Sequence, residues 1–302
     1  MILPIPQNSI PIQKIKVEND IEIFMKREDL VHPQISGNKY WKLFHNVNSY
    51  LSLNLFQPKI ITFGGAFSNH IAAVSAVGKL SGTSTLGVIR GEELLDRWQE
   101  NPTLQFASKN GMEFRFVTRE EYRDKNKLAQ KLEQEFPDAI IIPEGGTNED
   151  AVQGVKMMLN NDTKDFDYLC TAVGTGGTIA GISKYCEDNQ QVIGFKVVRD
   201  DSLDYTILAL SNRNNFILKD ASYGGYGRIS DEIIQFTNEF KALYHIPLEP
   251  VYTAKMIKKV FQMVDQKEFP KGSKVLCFHT GGLQGIGGAN LMLKKQNRQI
   301  LI

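Results

Sequence analysis

The chain predicts an α/β protein of two domains, each a mostly parallel twisted sheet flanked by helices. Three observations carry that expectation. Short runs rich in Ile, Val and Phe alternate with longer amphipathic runs, the rhythm of parallel strands covered by helices. The length of 302 residues suits about two domains at ~100–200 residues each. Glycine clusters follow three of the apolar runs, and open α/β sheets bind ligands outside the carboxyl ends of their strands.

In chain order, Gly37 and Asn38 are turn residues ahead of an amphipathic helix at 40–51. A strand at 59–63 runs into Gly64-Gly65, and a helix at 68–80 follows, with Ser68 or Asn69 as a cap. Strands at 84–89, 113–117 and 139–142 are short, apolar and bounded by Gly, Pro or charge. Amphipathic stretches at 94–110, 119–136 and 149–159 read as the helices beside them. The run 166–173 is a strand closed by Gly174, followed by a helix at 178–186 and a strand at 192–198. Residues 200–215 give no clear motif. Helices at 231–243 and 254–266 and a strand at 274–278 complete the pattern. There are no repeats, low-complexity tracts or long linkers, so no domain boundary is visible as a shift in composition.

Composition sets limits. Hydrophobic residues make up 42% and charged residues 23%, close to globular averages. Lys and Arg number 35 against 34 Asp and Glu, a net charge of +1 that gives no reason to expect nucleic acid or an anionic membrane as partner. The cysteines Cys170, Cys186 and Cys277 are few and lack metal-site spacing, and they read as buried core residues. The start of the chain lacks the pattern of a secretory signal, and no run approaches the length that spans a bilayer, so a cytoplasmic setting is expected.

The chemistry gathers at the glycine clusters. Gly174, Thr175, Gly176, Gly177 and Thr178 sit between a strand and a helix, where bare backbone N–H groups and the helix dipole can hold a phosphate. The rivals are a tight turn and a dinucleotide fingerprint. In the latter the third glycine would fall at Ile179, and the next strand lacks an acidic end until Asp200-Asp201. Ser68-Asn69-His70 opens a helix after Gly64-Gly65, so Ser68 can act as a cap or receive a substrate carboxylate. Lys39 starts a helix, where the dipole disfavours its charge and so favours the free amine that Schiff-base chemistry needs. Lys42, one turn on, reads as structural. A lysine, a Ser-Asn pair and a phosphate loop together imply an enzyme that uses pyridoxal 5'-phosphate.

With these residues in view, the chain resembles the fold-type II pyridoxal-phosphate enzymes, and within them the family of D-cysteine desulfhydrase and 1-aminocyclopropane-1-carboxylate deaminase. Its markers are Lys26-Arg27-Glu28-Asp29, Gly37-Asn38-Lys39, the Ser68-Asn69-His70 cluster, Pro143-Glu144-Gly145-Gly146, the 174–178 loop, Gly225-Tyr226-Gly227, Glu249-Pro250-Val251-Tyr252-Thr253 and His279-Thr280-Gly281-Gly282. The resemblance implies Lys39 as Schiff-base lysine and proton shuttle, Asn69 on the phenolic oxygen of the cofactor, and residues 174–178 on its phosphate. It implies Thr280 near the pyridine nitrogen. Ser68, Asn69, His70, Tyr226 and His279 would be substrate contacts, with Lys39, Ser68 and Tyr226 catalytic. It further implies a homodimer and a small domain at 45–148 inserted in a large one made of 1–44 and 149–302.

Two departures bear on the substrate. Cyclopropane deaminases of the family carry Tyr-Glu where this chain has His279-Thr280, and Gln in place of His70. Both point to the desulfhydrase side: α,β-elimination from a small amino acid, giving keto acid, ammonia and sulfide. The cyclopropane deaminase is the alternative, and a catalytically weak amino-acid-binding protein on the same fold is the alternative of another class. Tyr223 and Tyr226 flank Gly224-Gly225, and either can be core or site; His279 can be a ligand donor or a satisfied strand-end residue.

Overall fold

The computed structural model describes residues 3–302. Asn19 and Asp20 both take positive φ (52° and 61°) and turn the chain between β1 (Ile12–Glu18) and β2 (Ile21–Lys26), an antiparallel pair. Helix α1 (Asn38–Leu51) leads to β3 (Lys59–Gly64), α2 (Asn69–Ser81) and β4 (Ser84–Arg90). Then come α3 (Pro102–Lys109), β5 (Met112–Val117), α4 (Lys125–Glu135), β6 (Ala139–Ile142) and α5 (Glu149–Val155). The second half runs β7 (Tyr168–Val173), α6 (Gly177–Tyr185), β8 (Gln191–Lys196), α7 (Leu203–Ser211) and β9 (Phe216–Asp220). It ends with α8 (Asp231–Tyr244), α9 (Thr253–Asp265), β10 (Lys274–Phe278) and α10 (Gly285–Lys295).

Strands order as β1-β2-β10-β7-β8-β9 in one sheet and β5-β4-β3-β6 in the other. Apart from the β1–β2 hairpin, every pairing is parallel. The α/β architecture of mostly parallel sheets is therefore as the sequence predicts. Five elements are additional: the β1–β2 hairpin, α7, β9 and α10. Two predicted helices are shorter for a local reason. Asn101 caps α3 by accepting from the Leu104 N–H at 3.0 Å with Pro102 at the first helical position, and Asp124 caps α4 by accepting from the Lys127 N–H at 3.0 Å. Neither helix can start upstream of its cap.

The core has three parts. One packs Trp41, Phe44 and Val47 of α1 and Val152 and Val155 of α5 against Ile60 and Ile71 near the four-stranded sheet and Leu169, Val173 and Ile179 near the six-stranded one. This continuous layer joins the sheets. A second lies under α8 and α9, and a third under α4. Helix α1 runs unbroken through residues 44 and 45. Beneath α1, Lys26 Nζ stands 3.5 Å from the Glu28 carboxylate with both side chains buried, and Trp41 Nε1 donates to Glu28 Oε2 at 2.6 Å. Burial raises the Glu28 pKa against the pull of Lys26. Among the described residues no helix is long and apolar enough to cross a membrane. The three cysteines are buried and free.

Candidate active site

The carboxyl ends of both sheets open on one cleft of about 1160 Å³. Gly65 to Asn69 after β3, Arg90 at the end of β4 and residues 143–145 after β6 form one wall. Residues 174–178 after β7, 198–201 after β8, Gly224 to Tyr226 after β9 and Thr280 to Gly282 after β10 form the other. Three glycine-bearing strand ends thus meet, and Lys39 enters between them from the start of α1.

Gly37 sets that start. Its φ is +65°, and a Cβ there would lie 2.0 Å from the Thr280 carbonyl oxygen. Only glycine lets the base of α1 press on the loop after β10. Lys39 Nζ donates to Asn38 Oδ1 at 3.1 Å, and Asn38 Nδ2 donates to Thr178 Oγ1 at 2.7 Å, linking the lysine to the glycine loop. The Lys39 pKa falls from 10.5 to about 8. Burial is the cause, opposed by the charge of Glu249. Desolvation therefore does the work that the sequence alone assigned to the helix dipole.

Gly176 takes the left-handed conformation (φ 85°) and caps α6, which begins at Gly177. Lys42 reaches under this turn. It is buried, donates to the Gly145 carbonyl at 2.5 Å and to Thr147 Oγ1 at 3.0 Å, and its Nζ lies 2.9 Å from where a Cβ on Gly177 would be. Burial, and then the charge of Lys39, hold its pKa well below the ordinary value. A glycine-rich turn at a helix N-terminus with an amine at its floor fits a phosphate group. Lys42 is thus part of the cleft and not merely structural.

Ser68 caps α2, its Oγ accepting from the N–H groups of His70 and Ile71 at 3.2 and 3.3 Å. The hydroxyl proton remains free to donate into the cleft. Asn69 lines the same wall and accepts from Gln284 Nε2 at 3.0 Å, bridging to the other sheet's loops. His70 is buried, 2.8 Å from Thr62 Oγ1, which itself donates to the Ile142 carbonyl at 2.8 Å. The hydroxyl must then accept from Nε2–H, which leaves Nδ1 bare, and Nδ1 has no partner among the described residues. Burial, reinforced by Lys39 and Lys42, keeps the ring neutral.

Thr280 lines the cleft. His279 does not meet the expectation of a substrate contact: it is fully buried and absent from the cleft wall, Nε2 donates to the Pro247 carbonyl at 2.7 Å, and Nδ1 accepts from the Gly281 N–H at 3.1 Å. The two tyrosines separate. Tyr223 donates to Gln262 Oε1 at 3.0 Å and packs among the apolar residues under α9, whereas Tyr226 faces the cleft. Tyr252 donates to the Tyr226 hydroxyl at 3.1 Å and lines the cleft as well. Desolvation raises the pKa of both hydroxyls. Behind them, buried Glu249 accepts from the Val251 and Tyr252 N–H groups at 2.8 and 2.7 Å, and burial pushes its pKa up to about 7. Lys42, Tyr252, Arg90 and Lys125 are cleft residues that the sequence reading did not assign. Tyr252 lay inside a quoted motif, while the other three carried no local signal. Among the described residues no group of three or more His, Cys, Asp or Glu could hold a metal ion.

Comparison with known proteins fits this geometry. A family model described as pyridoxal-phosphate dependent enzyme matches residues 4–281. A mitochondrial protein of Arabidopsis thaliana named as a bifunctional D-cysteine desulfhydrase/1-aminocyclopropane-1-carboxylate deaminase is 27% identical over 89% of this chain and 74% of its own length. A Klebsiella pneumoniae protein named D-cysteine desulfhydrase is 26% identical over 86% of this chain and 87% of its own. Among solved structures, one described as an ACC deaminase homologue superposes with a TM-score of 0.79 at 28% identity, covering 96% of this chain and 94% of that one.

Proposed function

From the premise that the chain belongs to the pyridoxal-phosphate dependent enzymes, we propose that it catalyses α,β-elimination from a small β-substituted amino acid of the D-cysteine type. The carrying observation is Lys39, an amine with its pKa drawn to about 8, set in one cleft with the 174–178 turn and Ser68. When bound, pyridoxal phosphate supplies an electron sink for the pair left by the broken Cα–H bond. Lys39 would be its point of attachment, and the free Lys39 amine would take the α-proton. The 174–178 turn and Lys42 would hold the cofactor's phosphate, and Asn69 and Thr280, which line the same cleft, would hold its ring. Ser68, with the start of α2, receives the substrate carboxylate. Tyr226, supported by Tyr252, supplies a hydroxyl near the leaving group. Thr280 favours this reaction over opening of a cyclopropane ring, because a neutral hydroxyl supports a protonated pyridine nitrogen less well than a carboxylate would. The small domain is proposed to span residues 45–148, inserted in a large one made of 1–44 and 149–302, and the working form to be a pair of chains, which light scattering checks.

The deciding experiment follows visible absorbance of the purified protein before and after D-cysteine, with sulfide and pyruvate measured together. A yellow protein perturbed by D-cysteine with both products appearing supports the proposal. Lys39→Ala abolishes turnover; full activity in that variant would refute the lysine's role. A yellow protein that yields no product moves the substrate to the cyclopropane amino acid.

A further inference from the structure

Arg90 ends β4 at the carboxyl edge of the four-stranded sheet, beside the turn that follows β3. Its guanidinium stands in the cleft wall: a Cβ on Gly65 would lie 3.5 Å from one terminal nitrogen. It makes no hydrogen bond and no ion pair with any described residue. The buried ring of Tyr122, 5.5 Å from Cζ, supports it. Lys125 Nζ lies 5.0 Å from the same ring and pairs with Glu144 at 3.1 Å. Two cations therefore share one ring, and of the two only Lys125 has a carboxylate partner. The positive charge of Arg90 is left facing the cleft, where it also acts on the hydroxyl of Tyr226 on the opposite wall. A free arginine fork matches an oxyanion in both geometry and charge. The α-carboxylate has a receiver in Ser68 and the start of α2, so this fork is spare for a second anion.

We propose that Arg90 is a specificity-determining residue that receives a second anionic group carried on the substrate's side chain, so that the preferred substrates are amino acids with an anionic β-substituent. The inference rests on the elimination proposed above. Serine O-sulfate and β-chloroalanine test it on the cofactor-loaded protein, each in both hands: both carry good leaving groups, and only the first carries a second anion. The wild type favours serine O-sulfate in kcat/KM, and Arg90→Gln lowers the ratio of the two values by ~10–100-fold, the scale of a charged hydrogen bond. Arg90→Lys keeps the charge, loses the fork and falls between. An unchanged ratio, whether both substrates fall together or neither falls, overturns the proposal. A wild type that eliminates from neither substrate counts against the elimination alone. Recognition is then decided by calorimetry with succinate and propionate: selective weakening of succinate in Arg90→Gln supports the role of Arg90, and equal binding of the two acids overturns it.

Discussion

At the scale of the residue, burial decides the chemistry of Lys39. Its pKa of about 8, against an ordinary 10.5, makes the folded chain bind this proton less readily than the unfolded chain does. Between those two values the unfolded state holds more protons, so this group makes stability rise with pH across that window. The same shift frees the amine. Modification of Lys39 by an acylating reagent, followed by mass spectrometry of the cofactor-free protein, should rise with pH and level off above about 8. An inflection near the ordinary lysine value would show that desolvation is not acting. Of the residues that the sequence marked as candidates, Lys39, Ser68, Asn69, His70, residues 174–178, Tyr226 and Thr280 line the cleft. All but Tyr226 were legible because each follows a predicted strand end or opens a helix; Tyr226 follows β9, which the sequence did not predict, and it was marked only by the family motif Gly225-Tyr226-Gly227. Lys42 and Arg90 were not, since a buried amine and a free guanidinium look in sequence like ordinary surface charges. His279 misled for the opposite reason: it adjoins Thr280, yet its side chain turns to the Pro247 carbonyl.

At the scale of the element, the base of α1 is the sensitive point. Gly37→Ala introduces backbone strain of ~1–3 kcal/mol and a collision with the Thr280 carbonyl, which lies 2.0 Å from the new Cβ. Gly82→Ala is the matched control, with φ +68° and nothing within 4 Å, so it carries strain alone. Gly37→Ala should lower the thermal midpoint more than Gly82→Ala and should also weaken cofactor retention; equal effects would mean that the contact with the loop after β10 does not matter. The same scale explains which elements were readable. Strands β3 to β8 and β10 are apolar runs between breakers. Strand β1, with Gln13, Lys14 and Lys16, sits at a sheet edge and looks like loop, and α7 is apolar on most sides, so its sequence shows no helical period. Pro102 and the caps Asn101 and Asp124 were visible in the sequence and outweigh the longer amphipathic pattern.

At the scale of the whole molecule, the two sheets meet at the cleft and through the core layer around α1. A ligand that touches both walls should make them unfold as one. Saturating pyridoxal phosphate at 100 times its dissociation constant adds about 2.7 kcal/mol, and calorimetric scans should show a single, raised transition. A shift confined to part of a split transition would mean that the cofactor is held by one wall only. The fold also carries its own optical gauge. The chain has two tryptophans. Trp41 is buried two residues from Lys39, its indole fixed on Glu28, while Trp98 packs on Phe114 beside the four-stranded sheet. A yellow chromophore on Lys39 would drain the excited state of Trp41 by energy transfer, so the dimming of one indole reports how many molecules in solution are loaded, without any added dye.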